Sequence, residues 1–241
     1  MNEGLKKLQE EGVNWVEANR SKRFSGVTKL LTDLYPDNAH FIYELLQNAE
    51  DARDKSRSDS CGASSVCFTL NTDSLEFEHD GEGLFNLTDV ESITGIDDSN
   101  KAQDPTSIGK FGIGFKAVFA YTNTPQIHSG DYHFRIRDLV VPEPVEPRQM
   151  SSQATQFIFP FDHTKKSATQ AETEIAKGLH ELGDNTLLFL KHIRKIEYLL
   201  PDGSLGSLER SDQNSGHVEI RASKPGGEKS ASHWLRFEKD V

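Results

Sequence analysis

Three polar side chains, Glu44, Asn48 and Asp51, have the spacing to act together. On a helix, residues at i, i+4 and i+7 share one face, and the opposite stripe of this segment is apolar. Two carboxylates and an amide oxygen suit a hydrated Mg²⁺ ion and an attacking water, and one oxygen from Asn48 would be enough as a protein ligand. The alternative is an ordinary solvated helix face.

A first glycine cluster follows a predicted strand, in the run His79-Asp80-Gly81-Glu82-Gly83. A polar side chain at a strand end, followed by two glycines, allows the backbone to approach a flat ligand closely. The competing interpretation is an ordinary turn after the strand.

A second glycine cluster, residues 109–116 (GKFGIGFK), runs directly into a helix pattern. Free amides at a helix N-terminus bind phosphate, and glycines allow close approach; the alternative is a flexible turn before a core helix. The G-x-x-G-x-G spacing matches neither the P-loop nor the dinucleotide-binding fingerprint, so those two folds are disfavoured. The candidates for nucleotide contact here are Gly109, Phe111, Gly112, Ile113, Gly114, Phe115 and Lys116.

A polar stretch, residues 92–107, separates the two clusters. A loop of that length inside a compact domain is typical of a lid or of a disordered segment. Lys101 lies within it and could reach a phosphate, the alternative being a solvated lysine.

The apolar pattern predicts the elements that must position these residues. Helices are expected over 1–20, 25–35, 40–56, 115–121, 170–182 and 185–194. Strands are expected over 65–70, 74–79, 125–128, 131–137 and 155–159, followed by a three-stranded meander over 195–200, 217–222 and 233–238. Prolines 142, 144, 147 and 160 bracket a stretch that we expect to be irregular.

Length, composition and charge define the class of protein. The chain has 241 residues, 35% of them hydrophobic, and a net charge of -11, which fits a folded globular protein of one domain, or one and a part. Its acidity argues against nucleic acid as a partner of this segment. Cys61 and Cys67 are expected to be reduced, and we find no signal peptide or membrane span. We therefore expect a cytoplasmic protein, and a fragment of a longer chain.

In this order, the pieces resemble the GHKL superfamily of gyrase, heat-shock chaperone, histidine kinase and MutL. FIYELLQNAEDA is similar to its N box, HDGEG to its first glycine box and IGKFGIGFKAVF to its second. ATQFIFPF is similar to the strand of the last box, with Ala154 where the family usually has glycine and Thr155 matching the threonine. Within the superfamily, the run DLYPDNAHFIYELLQNAEDA, together with FEHDGEGLF and TLLFLKHIRKIEYL, most resembles the sacsin and NO VEIN type of ATPase domain.

The resemblance implies an α+β fold, the Bergerat two-layer α/β sandwich: a mixed, mostly antiparallel sheet with helices on one face, and ATP between helices and lid. Residues 1–165 would form the ATP-binding domain with an N-terminal helical extension. Residues 166–241 would add helices and antiparallel strands that pack on this domain or start a second one.

The resemblance also implies roles for individual residues. Glu44 matches the general base that activates water, Asn48 the Mg²⁺ ligand and Asp51 the acidic position that closes the N box. Thr155 matches a hydroxyl near the adenine, and Lys101 is similar to the lid lysine that approaches phosphate. The backbone expected to wrap the phosphates belongs to Gly112, Ile113, Gly114 and Phe115.

The chain departs from the family in the first glycine box, whose pattern is D-x-G-x-G with an aspartate that reads the adenine amino group. Aligning Gly81 and Gly83 places His79 at the aspartate position and Asp80 one residue later. Adjacent strand side chains point to opposite faces, so Asp80 could replace the aspartate only in a locally bent turn. We slightly favour Asp80 as the base reader, with an altered base preference or weak binding as the alternative.

The function that the resemblance implies is Mg²⁺-dependent ATP binding and slow hydrolysis. ATP and ADP would be the ligands. Closure of the lid on ATP would move downstream domains of a longer chain or pair two copies of it. A non-catalytic nucleotide sensor or scaffold is the main alternative. A histidine kinase is disfavoured because no phosphoacceptor histidine motif is recognisable.

Overall fold

The computed structural model of the chain describes residues 3–19, 39–54, 56–95, 114–149, 154–213 and 216–236. Its helices are α1 (Glu3–Asn19), α2 (Phe41–Glu50), α3 (Leu87–Thr94), a 3₁₀ helix (Phe115–Ala120), α4 (Ala168–His180) and α5 (Asp184–Phe189). The strands are β1 (Ser65–Leu70), β2 (Ser74–His79), β3 (Gln126–Ser129), β4 (Tyr132–Arg137), β5 (Val141–Pro144), β6 (Thr155–Pro160), β7 (Lys195–Leu199), β8 (Leu205–Asp212), β9 (His217–Ser223) and β10 (Lys229–Leu235).

The strands of the described residues form one sheet, in the order β10-β9-β8-β7-β1-β2-β6-β3-β4-β5. Strands β1 and β7 run parallel, with Val66 opposite Ile196, and the other neighbours are antiparallel. The predicted α+β class with a mixed, mostly antiparallel sheet is therefore confirmed. The C-terminal strands continue the same sheet through the contact between β7 and β1.

The core lies on one face of the sheet, where the helices pack. In β2, Leu75, Phe77 and His79 are buried, while Glu76 and Glu78 point to the other face. A single apolar cluster joins this face to residues from all of the described helices. Full burial of one large apolar side chain stabilises a fold by about 1.5–3 kcal/mol, so this shared cluster fixes the helices on the sheet.

Three described elements were not predicted from the sequence. Helix α3 begins at a reciprocal capping box between Asn86 and Asp89, a local signal that the sequence does contain. Strand β5 (VPEP) contains two prolines and lies at the edge of the sheet, where a missing N–H is tolerated. Strand β8 makes the final meander four-stranded rather than three-stranded.

The predicted helix over 185–194 is too long, because α5 ends at Phe189. The backbone N–H groups of Lys191, His192 and Ile193 instead donate to the carboxylate of Glu50, at distances of 2.5–3.0 Å. These three bonds tie the end of α2 to the segment that precedes β7. The helix predicted over 25–35 lies outside the described residues.

Candidate functional site

Helix α2 presents polar side chains on one face and core residues on the other. The predicted stripe, Phe41, Ile42, Leu45, Leu46 and Ala49, is buried. Asn48 is only 5% exposed, and its Nδ2 has no hydrogen-bond partner in the described part of the chain. An unpaired buried amide costs about 1–3 kcal/mol, so Asn48 is a group that a ligand would satisfy.

Glu44 faces the start of the 3₁₀ helix, where the second glycine cluster ends. A Cβ atom built on Gly114 would lie 2.0 Å from Glu44 Oε2, so only glycine allows this approach. The other carboxylate oxygen, Oε1, lies 3.6 Å from His40 Nε2, and the Glu44 side chain is 21% exposed. The carboxylate is therefore held against the glycine segment and still reaches water.

A cleft of about 430 Å³ opens beside the polar face of α2, a size typical of small-molecule sites. It is lined by Asn48 from α2, Asp51 directly after α2, His79 from the end of β2 and Phe157 from β6. The remaining lining residues are Ala52, Arg53, Asp54, Ser56, Glu82, Gly83, Leu84, Phe85, Asn86 and Asp89. Glu44 lies outside this lining, one turn before Asn48 on the same helix.

Charged groups in the lining are mostly acidic. Asp51, Asp54, Glu82 and Asp89 contribute carboxylates and Arg53 a guanidinium. A bare polyphosphate would be repelled by this set, whereas its complex with a divalent cation would not. Of these residues the sequence analysis selected only Asp51, although the charges that directly follow the N box and the Asn86–Asp89 capping pattern were visible signals.

The first glycine box packs on the chain that leaves α2. A Cβ atom on Gly81 would lie 2.7 Å from Ala52 O, and one on Gly83 would lie 2.5 Å from Arg53 O. Gly83 N also donates to Ala52 O at 3.0 Å. The two glycines are required here because backbone meets backbone, and their contact brings the first glycine box and the N box to the same cleft.

His79 and Asp80 point in opposite directions, as strand alternation requires. His79 is 4% exposed and lines the cleft; burial lowers its pKa to about 4, and the nearby Asp80 charge opposes that shift. The Asp80 carboxylate accepts from Ser64 N, Ser64 Oγ and Ser65 N at 2.6–2.9 Å, outside the cleft lining. This placement contradicts our preference for Asp80 as the base reader.

Lys116 does not reach the cleft. Its Nζ donates to Ile93 O at 2.7 Å and Leu139 O at 2.5 Å, and burial lowers its pKa to about 7. The structure thus contradicts the prediction that Lys116 contacts the nucleotide and makes it a link between the end of α3 and the turn before β5.

Two other predicted residues are buried and do not line the cleft. Phe115 packs against Phe157 in the core, with the two rings tilted by 46° and their centroids 5.9 Å apart. Thr155 is fully buried, pairs with His79 across β2 and β6, and shares a hydrogen bond of 2.6 Å with Ser129. The predicted residues Lys101, Gly109, Phe111, Gly112 and Ile113 lie outside the described part of the chain.

The residues present fit a magnesium ion held largely by its own waters and by phosphate. No group of three or more His, Cys, Asp or Glu side chains in the described residues is arranged to hold a metal. Asn48 offers an amide oxygen, and its Nδ2 has no hydrogen-bond partner within the described residues. Oxygen ligands and retained waters are what Mg²⁺ prefers.

The chain is similar in sequence to two known proteins. The chain is 30% identical to Protein NO VEIN of Arabidopsis thaliana over 233 residues, covering 87% of this chain and 8% of that protein. It is 33% identical to human Sacsin over 132 residues, covering 45% of this chain and 3% of that protein. The chain therefore spans a small part of these relatives.

Two solved structures are similar at low identity. The B-subunit of DNA gyrase from Myxococcus xanthus matches with a TM-score of 0.49 and 13% identity, over 83% of this chain and 66% of that one. The N-terminal domain of a DNA repair protein matches with a TM-score of 0.46 and 12% identity, over 73% and 54%.

The fold is the α+β arrangement with a mixed, mostly antiparallel sheet that the resemblance implied. The model of the Sacsin domain matches residues 22–143, just over half of the chain. The chain belongs to the Sacsin domain family. None of the helices in the described residues combines the length and apolarity needed to cross a bilayer.

Proposed function

We propose that this domain binds a nucleoside triphosphate with Mg²⁺ and hydrolyses it slowly, ATP being the nucleotide that the resemblance implies. The observation that carries the proposal is the arrangement along α2. Glu44 contacts the end of the second glycine cluster at Gly114, and Asn48 and Asp51 line the adjoining cleft. In this proposal the base and the metal ligand share one helix face, and the base lies against Gly114.

Each residue has a separate task in this proposal. Glu44 accepts a proton from the attacking water, which its partial exposure allows. Asn48 holds the metal through its amide oxygen, and Phe157 gives the cleft an apolar wall for a flat base. When bound, Mg²⁺ neutralises phosphate charge that the acidic lining would otherwise repel.

We further propose that nucleotide binding controls other parts of a longer protein. The chain covers 8% and 3% of its two relatives, so downstream domains are the natural recipients of a conformational change. A second possible consequence of lid closure on the nucleotide is the ATP-dependent pairing of two copies of the chain.

Calorimetric titration with ATP and ADP, each with and without Mg²⁺, tests the proposal. We expect binding that requires or is strongly increased by Mg²⁺, and its loss in Asn48→Ala. Thermal unfolding of both proteins serves as the control for folding. The absence of binding by any nucleotide to the folded wild-type protein would contradict the proposal.

A nucleotide sensor without turnover is the second candidate, favoured by His79 in place of the family's aspartate. Such a sensor would bind nucleotide with Mg²⁺ and show no turnover that depends on Glu44.

A further inference from the structure

His79 is the polar side chain that the described strands bring to the inner end of the cleft. It lies on the core face of β2, with its ring centroid 5.9 Å from that of Phe77 and 6.2 Å from that of Phe157. It lines the cleft and is 4% exposed. A group in these apolar surroundings discriminates strongly between ligands that complete its hydrogen bonds and ligands that do not.

The backbone fixes which imidazole nitrogen carries the proton. Gly81 N donates to His79 Nδ1 at 3.2 Å, and a backbone N–H can only donate, so Nδ1 accepts. In a neutral imidazole the other nitrogen, Nε2, then carries the hydrogen. The low pKa that burial gives His79, about 4, keeps the ring in this neutral form at pH 7.

The cleft therefore offers a donor where a carboxylate would offer an acceptor. No hydrogen bond within the described residues engages His79 Nε2. An unpaired donor at this end of the cleft favours a ligand edge that presents an acceptor.

Purine bases differ in this respect at position 6. Guanine presents two acceptors side by side, O6 and N7, whereas adenine presents the N7 acceptor beside a 6-amino donor. Hypoxanthine has the same 6-oxo group as guanine and lacks guanine's 2-amino group. A donor facing the 6-amino group of adenine would leave two buried donors opposed and unpaired.

We propose that His79 selects a purine nucleotide with a carbonyl oxygen at position 6, so that the cleft prefers GTP or ITP to ATP. This inference rests on the proposed nucleotide site and names the base that the site takes. His79 Nε2–H donates to O6, while the phosphate and hydrolytic roles of α2 stay as proposed above. His79 is in this sense a specificity-determining residue.

Calorimetric titration with ITP, GTP, ATP and purine riboside triphosphate, all with Mg²⁺, tests the inference on the unmodified protein. ITP and ATP differ at position 6 and in the hydrogen that ITP carries on N1. Purine riboside triphosphate carries only hydrogen at position 6 and, like ATP, none on N1. We expect ITP to bind about tenfold or more tightly than ATP, with purine riboside triphosphate between them.

Two variants sharpen the test. His79→Asp replaces the donor with an acceptor and is expected to reverse the ratio of ITP to ATP affinity. Asp80→Asn is the matched control, because its side chain lies outside the cleft lining, and it should leave that ratio unchanged. If His79→Asp does not fold, the wild-type nucleotide series decides alone.

The outcomes separate this inference from the function on which it rests. ATP binding as tightly as ITP, or more tightly, would overturn the role of His79 and leave the nucleotide site standing. Failure of every nucleotide to bind the folded protein would overturn the site itself.

Discussion

The contact between Gly114 and Glu44 predicts a substitution that lowers turnover and leaves the stability of the fold almost unchanged. In Gly114→Ala the new Cβ atom would lie 2.0 Å from Glu44 Oε2 and 2.6 Å from its Cδ, well inside the 3.4 Å at which ordinary contact begins. The clash involves the end of a side chain, and Glu44 can rotate towards solvent. Gly114 has φ -63° and ψ -46°, which alanine adopts without strain.

The magnitudes follow from this geometry. Displacing Glu44 is cheap, and alanine at a compatible backbone position contributes about 0.4–1 kcal/mol of stability. The free energy of unfolding should therefore change by less than about 1 kcal/mol. The same displacement moves the proposed base by more than an ångström, which should reduce turnover by on the order of 100-fold.

Urea unfolding and steady-state nucleotide hydrolysis measure the two quantities on one preparation. Gly183→Ala is the matched control, because the nearest atom to its Cβ would be Asn185 Oδ1 at 3.1 Å, far from α2 in the chain. Turnover at the wild-type rate in a normally stable Gly114→Ala protein would refute the role that we give to this contact.

Three further predictions concern stability. Burial lowers the pKa of His79 from 6.5 to about 4, so between these pH values the unfolded chain binds more protons than the folded one. The free energy of unfolding should therefore fall by up to about 3 kcal/mol as the pH drops from 6.5 to 4. Urea unfolding at a series of pH values measures this dependence, which His79→Asn should lose. Lys116→Met leaves the carbonyls of Ile93 and Leu139 unpaired and should cost about 2–3 kcal/mol. Since burial lowers the pKa of Lys116 to about 7, the stability of the wild-type protein should rise with pH above 7. Denaturation at pH 7 and at pH 9 should therefore show that Lys116→Met is further below wild type in stability at pH 9. Glu50→Ala removes the acceptor of three backbone amides and should lower the free energy of unfolding by about 3 kcal/mol. Thermal unfolding measures this loss, with Glu10→Ala at an exposed position as the control. A melting temperature equal to that of wild type in both variants would contradict the prediction.

The sequence contained enough information to predict helix α2 and its polar face. The apolar stripe from Phe41 to Ala49 has strict helical spacing, and burying that stripe leaves Asn48 and Asp51 only one direction to face. Strands β1 and β2 alternate clearly, and a short turn joins them. These local patterns were enough to predict α2, β1 and β2.

Long-range contacts explain what could not be predicted. Lys116 follows the second glycine cluster directly, yet its Nζ reaches carbonyls at residues 93 and 139, which only the folded chain brings together. Strand β8 contains Gly206 and several polar residues, and it is ordered by pairing between β7 and β9. By contrast, the acceptor role of His79 Nδ1 depends on a local hydrogen bond from Gly81 N, two residues later in the chain.

The most direct test of the central claim compares wild type with Glu44→Gln, measuring nucleotide affinity and single-turnover hydrolysis on the same samples with ATP and GTP. The variant keeps the size of the side chain and removes its basicity. We expect affinity within about threefold of wild type and a loss of hydrolysis of on the order of 100-fold or more. Hydrolysis at the same rate in both proteins would contradict the account, because it would remove Glu44 from the reaction.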